Sequence, residues 1–80
     1  MSARKMFEEL GYEQELKNNV IYYLKEIHIP KSKIIYSINF INEKKEVFVS
    51  KNLDVKELQA INKQVEELGW NKWVKKNYIN

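Results

Sequence analysis

The stretch Leu53–Trp70, LDVKELQAINKQVEELGW, constrains the fold more than any other, because it reads as an amphipathic helix with both ends written in. Asp54 is placed to accept from the free amides of a first helical turn. Glu57, three residues on, is placed to reach back to the Asp54 amide, a capping box with Asp at the N-cap. Leu53 and Leu58 flank the cap as a hydrophobic staple pair. Val55, Leu58, Ile61, Val65 and Leu68 recur at spacings of three and four, which predicts one buried stripe. Gly69 supplies the left-handed stop, and Trp70 falls where a Schellman motif packs it against Val65. A helix with one apolar stripe needs a surface to bury it, so the rest of the chain must provide one.

The 80 residues suffice for one domain, and a domain of this size buries roughly 60–65% of its unfolded surface. A hydrophobic share of 44% beside a charged share of 31% is that of an ordinary globule rather than a disordered segment. The chain has no cysteine, which excludes disulfides, thiolate metal sites and cysteine nucleophiles. No window has secretory or membrane-spanning length, so the expectation is a cytoplasmic protein without membrane contact. The formal charge of +3 is mild, and lysine supplies all the positive charge except Arg4. Lys, Asn and Ile have AT-rich codons, so part of this basicity is attributed to genome composition.

Ser2 is set to cap a short helix carrying Ala3, Met6, Phe7 and Leu10 and ended by Gly11. Phe7-Glu-Glu-Leu-Gly-Tyr12 echoes Val65-Glu-Glu-Leu-Gly-Trp70, which is read as a shared helix-ending device rather than a duplication, because nothing around it repeats. Tyr12, Gln14 and Leu16 alternate with Glu13, Glu15 and Lys17, as in a short edge strand, and Asn18-Asn19 is a turn signal. Val20–Ile27 reads as a strand, and His28–Ser32, with Pro30, as a loop. Lys33–Ile41 is the clearest strand, with Ile34, Tyr36, Ile38 and Phe40 on one face and Ile35, Ser37, Asn39 and Ile41 on the other. A turn centred on Glu43-Lys44 pairs Phe40 with Val47, Ile38 with Val49, Asn39 with Phe48 and Ser37 with Ser50; a one-residue slip would scramble both faces.

The expected architecture is a single α+β domain spanning residues 1–80. It is a two-layer sandwich of helix, three antiparallel strands (four if residues 12–17 form one) and helix, followed by a basic, aromatic segment at 71–80 that is either a short helix or an extended arm. Both helices cover the dry face of the sheet and the other face stays open.

Gly11 and Gly69 are the only glycines and both serve as helix stops, so no glycine-rich phosphate loop is available. His28 stands alone as a soft ligand, so no metal site is expected. Adjacent glutamates such as Glu8-Glu9 and Glu66-Glu67 point about 100° apart on a helix and suit a solvated face rather than acid–base work. The expectation is therefore binding without catalysis or cofactor. Two surfaces suit it. On the open sheet face Phe48, Ile35, Ile41 and Tyr23 stand among Ser37, Asn39 and Ser50. In the C-terminal segment Trp70, Trp73 and Tyr78 interleave with Lys72, Lys75 and Lys76, a pattern suited to single-stranded nucleic acid, a partner groove or an anionic surface.

Helix, three strands, helix is also the topology of the double-stranded RNA-binding domain. Here the loop His28-Ile29-Pro30-Lys31 lacks that family's glycine, and the last helix opens Asp54-Val55-Lys56-Glu57, acidic where the family is basic, so the likeness stops at topology. The opening Met6-Phe7-Glu8-Glu9-Leu10-Gly11-Tyr12, a strand-rich middle and the close Glu57-Leu58-Gln59-Ala60-Ile61-Asn62-Lys63-Gln64-Val65-Glu66-Glu67-Leu68-Gly69-Trp70 resemble small uncharacterised phage and prophage proteins of low-GC Gram-positive bacteria. The two helices that carry this likeness make up roughly a third of the chain and are fold-forming, so it implies a setting and no site. The functional expectation is a non-enzymatic accessory protein of host-modulating or anti-defence type that binds a host or phage protein. Weak, sequence-tolerant nucleic-acid binding by Lys72, Lys75 and Lys76 is the alternative, and a homodimer the second.

Overall fold

The computed structural model describes residues 1–70. Helix α1 (Ala3–Glu9) leads into four strands, β1 (Glu13–Lys17), β2 (Val20–Ile29), β3 (Ser32–Ile41) and β4 (Glu46–Val49), and helix α2 (Val55–Glu67) follows. The strands form one antiparallel meander in the order β1-β2-β3-β4, and the two helices lie on one face of it, so the domain is a two-layer α+β sandwich.

Local chemistry sets the turns and caps. Ser2 Oγ accepts from the Lys5 amide at the start of α1. The Tyr12 amide returns to the Phe7 carbonyl and the Gly11 amide to that of Glu8, which is the full Schellman pattern, with Gly11 at φ +94°. Asn18 and Asn19 both take positive φ, as a two-residue type I′ turn requires, and join Lys17 to Val20. At α2 both halves of the capping box are made, Asp54 Oδ1 accepting from the Glu57 amide and Glu57 Oε1 from the Asp54 amide. The Gly69 amide bonds the Glu66 carbonyl at the far end.

The β3–β4 register is as expected, pairing Ile38 with Val49, Asn39 with Phe48 and Phe40 with Val47, with Ser37 and Ser50 bonded beyond the last pair. The stretch Glu13–Lys17 is a true strand, which makes the sheet four-stranded. The expected loop at 28–32 shrinks to Pro30 and Lys31. Pro30 fixes a negative φ and Lys31 takes φ +68°, so the ladder runs on to Ile29 and Ser32. Because β1 and β4 are short, β2 and β3 continue past them from Lys25 and Tyr36 as a two-stranded ribbon. Two lysines cover the edge of the core there, Lys25 over the Tyr12 ring and Lys51 over the Tyr36 ring, 5.6 and 5.5 Å from the ring centroids.

Phe7 is the centre of the core. It stacks on Tyr23 at 3.9 Å between centroids and meets Tyr12 and Phe40 edge-on at 5.7 and 6.1 Å. Phe40 in turn meets Trp70 at 6.2 Å, and Ile38, Ala60 and Ile61 fill the space between sheet and α2.

The buried face of α2 departs from expectation. Val55 is 68% exposed and Leu58 46%, while Glu57, Ala60, Ile61 and Gln64 are buried. The helix is rotated from its apolar stripe because two tyrosines on the inner side of the sheet need hydrogen-bond partners out of water. Tyr12 donates to Glu57 and Tyr23 to Gln64. Glu57 and Gln64 lie seven residues apart, about two turns, and so share one face. Leu53 packs on the core, but its staple partner Leu58 faces outward. Tyr23, expected on the open face, is fully buried, because its partner across β2–β3 is Ile38. Leu16 shares the inner side of the sheet yet is exposed. Glu67 is exposed, as expected, and in addition accepts from the Ala3 amide at 2.8 Å, which supplies α1 with the N-terminal carboxylate its own first turn lacks.

Urea unfolding of two variants separates this packing from a simple apolar stripe. Phe7→Ala should lose about 3–5 kcal/mol, most of the stability of a domain this small. Leu58→Ala should lose less than about 1 kcal/mol; a loss there equal to that of Ile61→Ala would restore the apolar stripe.

Candidate functional site

With Tyr23 inside, the neighbouring residues of each strand face away from the helices, and the ladder arranges them in rows. Lys17, Val20, Ile41 and Glu46 form one row, and Glu15, Tyr22, Asn39 and Phe48 the next. Glu13, Leu24 and Ser37 follow, then Glu26 with Ile35, and His28 with Lys33. The centre of this face is apolar and only partly covered, with Phe48 51% and Ile35 54% exposed and Val20, Tyr22, Leu24 and Ile41 half-buried.

Two shallow depressions mark it. One, about 450 Å³, lies over Val20, Tyr22, Asn39, Ile41 and Phe48. The other, about 400 Å³, lies toward the ribbon between Glu13, Leu24, Glu26, His28 and Ile35. The structure thus brings Phe48 and Ile41 together in one depression and sets Ile35 in the other. Tyr22 takes the place that Tyr23 was expected to hold. Trp73, Tyr78, Lys72, Lys75 and Lys76 lie outside the described residues.

Around the apolar centre, acidic side chains outnumber basic ones. Glu13 and Glu15 border the centre on β1 and Glu46 on β4, against Lys17 alone in the same rows. Glu26 is neutralised locally: Lys33 donates to it at 2.7 Å and His28 stands 3.6 Å away. The hydrogen bond and charge of Lys33 hold the Glu26 carboxyl below its ordinary range. In the middle of the face Ser37 Oγ donates to Asn39 Oδ1 at 2.6 Å and the Ser37 amide to Ser50 Oγ at 2.8 Å, which fixes the polar side chains between Leu24 and Phe48.

The strongly perturbed groups lie on the opposite, inner side. Glu57, 2% exposed, accepts from Tyr12 Oη at 2.5 Å, from Lys51 Nζ at 2.7 and 2.8 Å, and from the Asp54 amide at 2.9 Å. Burial pushes its carboxyl up, but the donors Lys51, Tyr12 and Asp54, with the Lys51 charge, outweigh burial and hold it below the ordinary range. Burial, then the bond to Glu57 and its charge, push the Tyr12 hydroxyl far up. Tyr23, which also accepts from Gln14, is raised mainly by burial. These groups are spent on joining helix to sheet. Among the described residues no three His, Asp or Glu side chains gather as a metal site would need, and no helix is long and apolar enough to cross a membrane. Comparison with known proteins found no matching family model, no similar curated protein and no similar solved structure.

The depressed Glu57 carboxyl links stability to acid. The folded state binds this proton more weakly than the unfolded chain does. Its contribution is therefore whole above the unfolded value of about 4.3, and is lost as pH falls through the lower folded value. Glu57→Gln should cost about 2–3 kcal/mol at neutral pH and should flatten the fall in urea midpoint between neutral and acid pH. A variant that keeps the acid sensitivity of the parent would place its origin elsewhere.

Proposed function

We propose that this chain is a non-enzymatic accessory protein that acts by protein–protein contact, gripping its partner on the open face of the sheet. The observation that supports this most directly is the half-exposed apolar centre formed by Tyr22, Ile41 and Phe48, with Ile35 beyond it, bordered by Glu13, Glu15 and Glu46. An aromatic side chain held on a rigid sheet and surrounded by polar groups has the make-up of an interface anchor. The acidic border favours a partner with a basic, apolar surface and opposes phosphate at this face. The setting we propose is the cytoplasm of a bacterial host, with the gene carried by a phage or prophage and the protein acting on a host or phage factor in a host-modulating or anti-defence role.

The test compares the tagged full chain with its Phe48→Asp variant in affinity capture from a low-GC Gram-positive lysate, with and without nuclease. A stoichiometric protein band should survive nuclease and be lost from the variant, with binding weakened by at least about 1–2 kcal/mol as for an anchor residue. The melting temperature should move by only a few degrees, since a surface change costs well under about 1 kcal/mol. Recovery that disappears with nuclease, or is indifferent to Phe48→Asp, would contradict the proposal. The first outcome would move the function to nucleic acid and to Lys72, Lys75 and Lys76.

A further inference from the structure

We propose that the partner held by the open face also contributes an extended segment, which adds to the sheet along the outer edge of β2, antiparallel to it and in line with β1. The inference rests on the docking reading above and names how part of that partner is recognised.

The backbone phase of the β2–β3 ribbon follows from one serine. The Ser37 amide donates to Ser50 Oγ and its carbonyl accepts from the Ser50 amide, so the Ser37 backbone faces β4. Its partner across the ladder is Leu24, whose backbone groups therefore face away from β3, toward Glu13 of β1. Alternate residues of a strand turn their amides and carbonyls to the same side, so those of Glu26 and His28 face that way too. Pairing with β1 stops at Glu13, and among the described residues no strand meets Glu26 or His28 from that side. An edge of this kind is a template for an incoming strand. The space beside it is open: the depression of about 400 Å³ runs from Gly11 and Glu13 past Leu24 to Glu26, His28 and Ile35.

What stands opposite each position specifies the segment. The residue opposite Glu26 lies on the open face, with Glu26 across from it and Glu13 two places along its own line, so it is basic. Glu26 keeps Lys33 on its other side. The residue opposite Ile27 turns to the inner side, where Ile29 is 42% and Ile34 40% exposed, so it is apolar and β-branched. The residue opposite His28 stands near His28 and Lys33, so it is polar and not basic. Read from its N-terminus, the segment is polar, then β-branched, then basic.

The probe is the acetylated, amidated pentapeptide threonine-valine-threonine-valine-arginine, titrated into the isotope-labelled full chain. The Glu26 and His28 amide signals should shift most, and their hydrogen exchange should slow. Methylating the amide nitrogens of the second threonine and the arginine, which face β2, should weaken binding by at least about 10-fold. Methylating the nitrogen of the valine between them, which faces away, should leave it within about 2-fold, since no bond is lost. Glu13→Lys, or glutamate in place of the arginine, should weaken it by about 3- to 10-fold. Phe48→Asp should leave it unchanged. No binding at millimolar peptide, equal loss from both methylation patterns, or shifts centred on Val20, Tyr22 and Phe48 would overturn the inference. Such a result with capture still lost in Phe48→Asp refutes the strand addition alone. Peptide bound as described with capture indifferent to Phe48→Asp refutes the docking reading alone.

Discussion

The Glu57 carboxylate is the joint on which the arrangement of layers depends. One buried group closes the N-terminus of α2 through the Asp54 amide, receives the Tyr12 hydroxyl at the end of α1, and neutralises Lys51, whose ammonium lies over Tyr36. Removing such a carboxylate from water is costly, and only a full set of donors offsets it. Here four hydrogen bonds do so. Two turns along the same helix Gln64 repeats the device with Tyr23. Together they fix the rotation of α2 about its axis, and Val55 and Leu58 are left outside as a consequence.

That rotation also decides which surface remains for binding. The short helix α1 lies against α2, and Glu67 ties their opposite ends by capping the Ala3 amide. Both helices are therefore committed to the side of the sheet that holds Tyr12, Tyr23, Ile38 and Phe40. An antiparallel sheet tolerates a single covered face when the other carries a mixture of polar and apolar side chains. Here that other face has serine and asparagine fixed between Leu24 and Phe48, with glutamates on the outer strands. Lysine stems, rather than a further helix, cover the core where the β2–β3 ribbon leaves it.

What could be read from the sequence was what short-range chemistry dictates. Ser2, Asp54, Gly11, Gly69 and the Asn18-Asn19 turn act within a few residues of themselves, and the β3–β4 register follows from alternation across a four-residue connection. The rotation of α2 was hidden because its cause is distant: Tyr12 and Glu57 are 45 residues apart, and Tyr23 and Gln64 are 41. A stripe counted by hydrophobicity cannot register a glutamate and a glutamine as inner residues. Tyr23 was misplaced because Val20–Leu24 is apolar at every position, so its phase is set only by pairing with β3. On the candidate face Phe48, Ile35 and Ile41 followed from the register, whereas Tyr22 and the acidic border needed β1 and β2 in place.

The central claim is that Glu57 and Gln64, and not Val55 and Leu58, form the inner face of α2. Relaxation of methyl groups by a soluble gadolinium chelate tests it most directly, because it reads solvent contact one side chain at a time. The account predicts strong relaxation at Val55 and Leu58 and protection at Ile61, Ala60 and Ile38. Protection of Val55 and Leu58 to the level of Ile61 would contradict it, since the apolar stripe would then face the sheet and Tyr12 and Tyr23 would lose their partners.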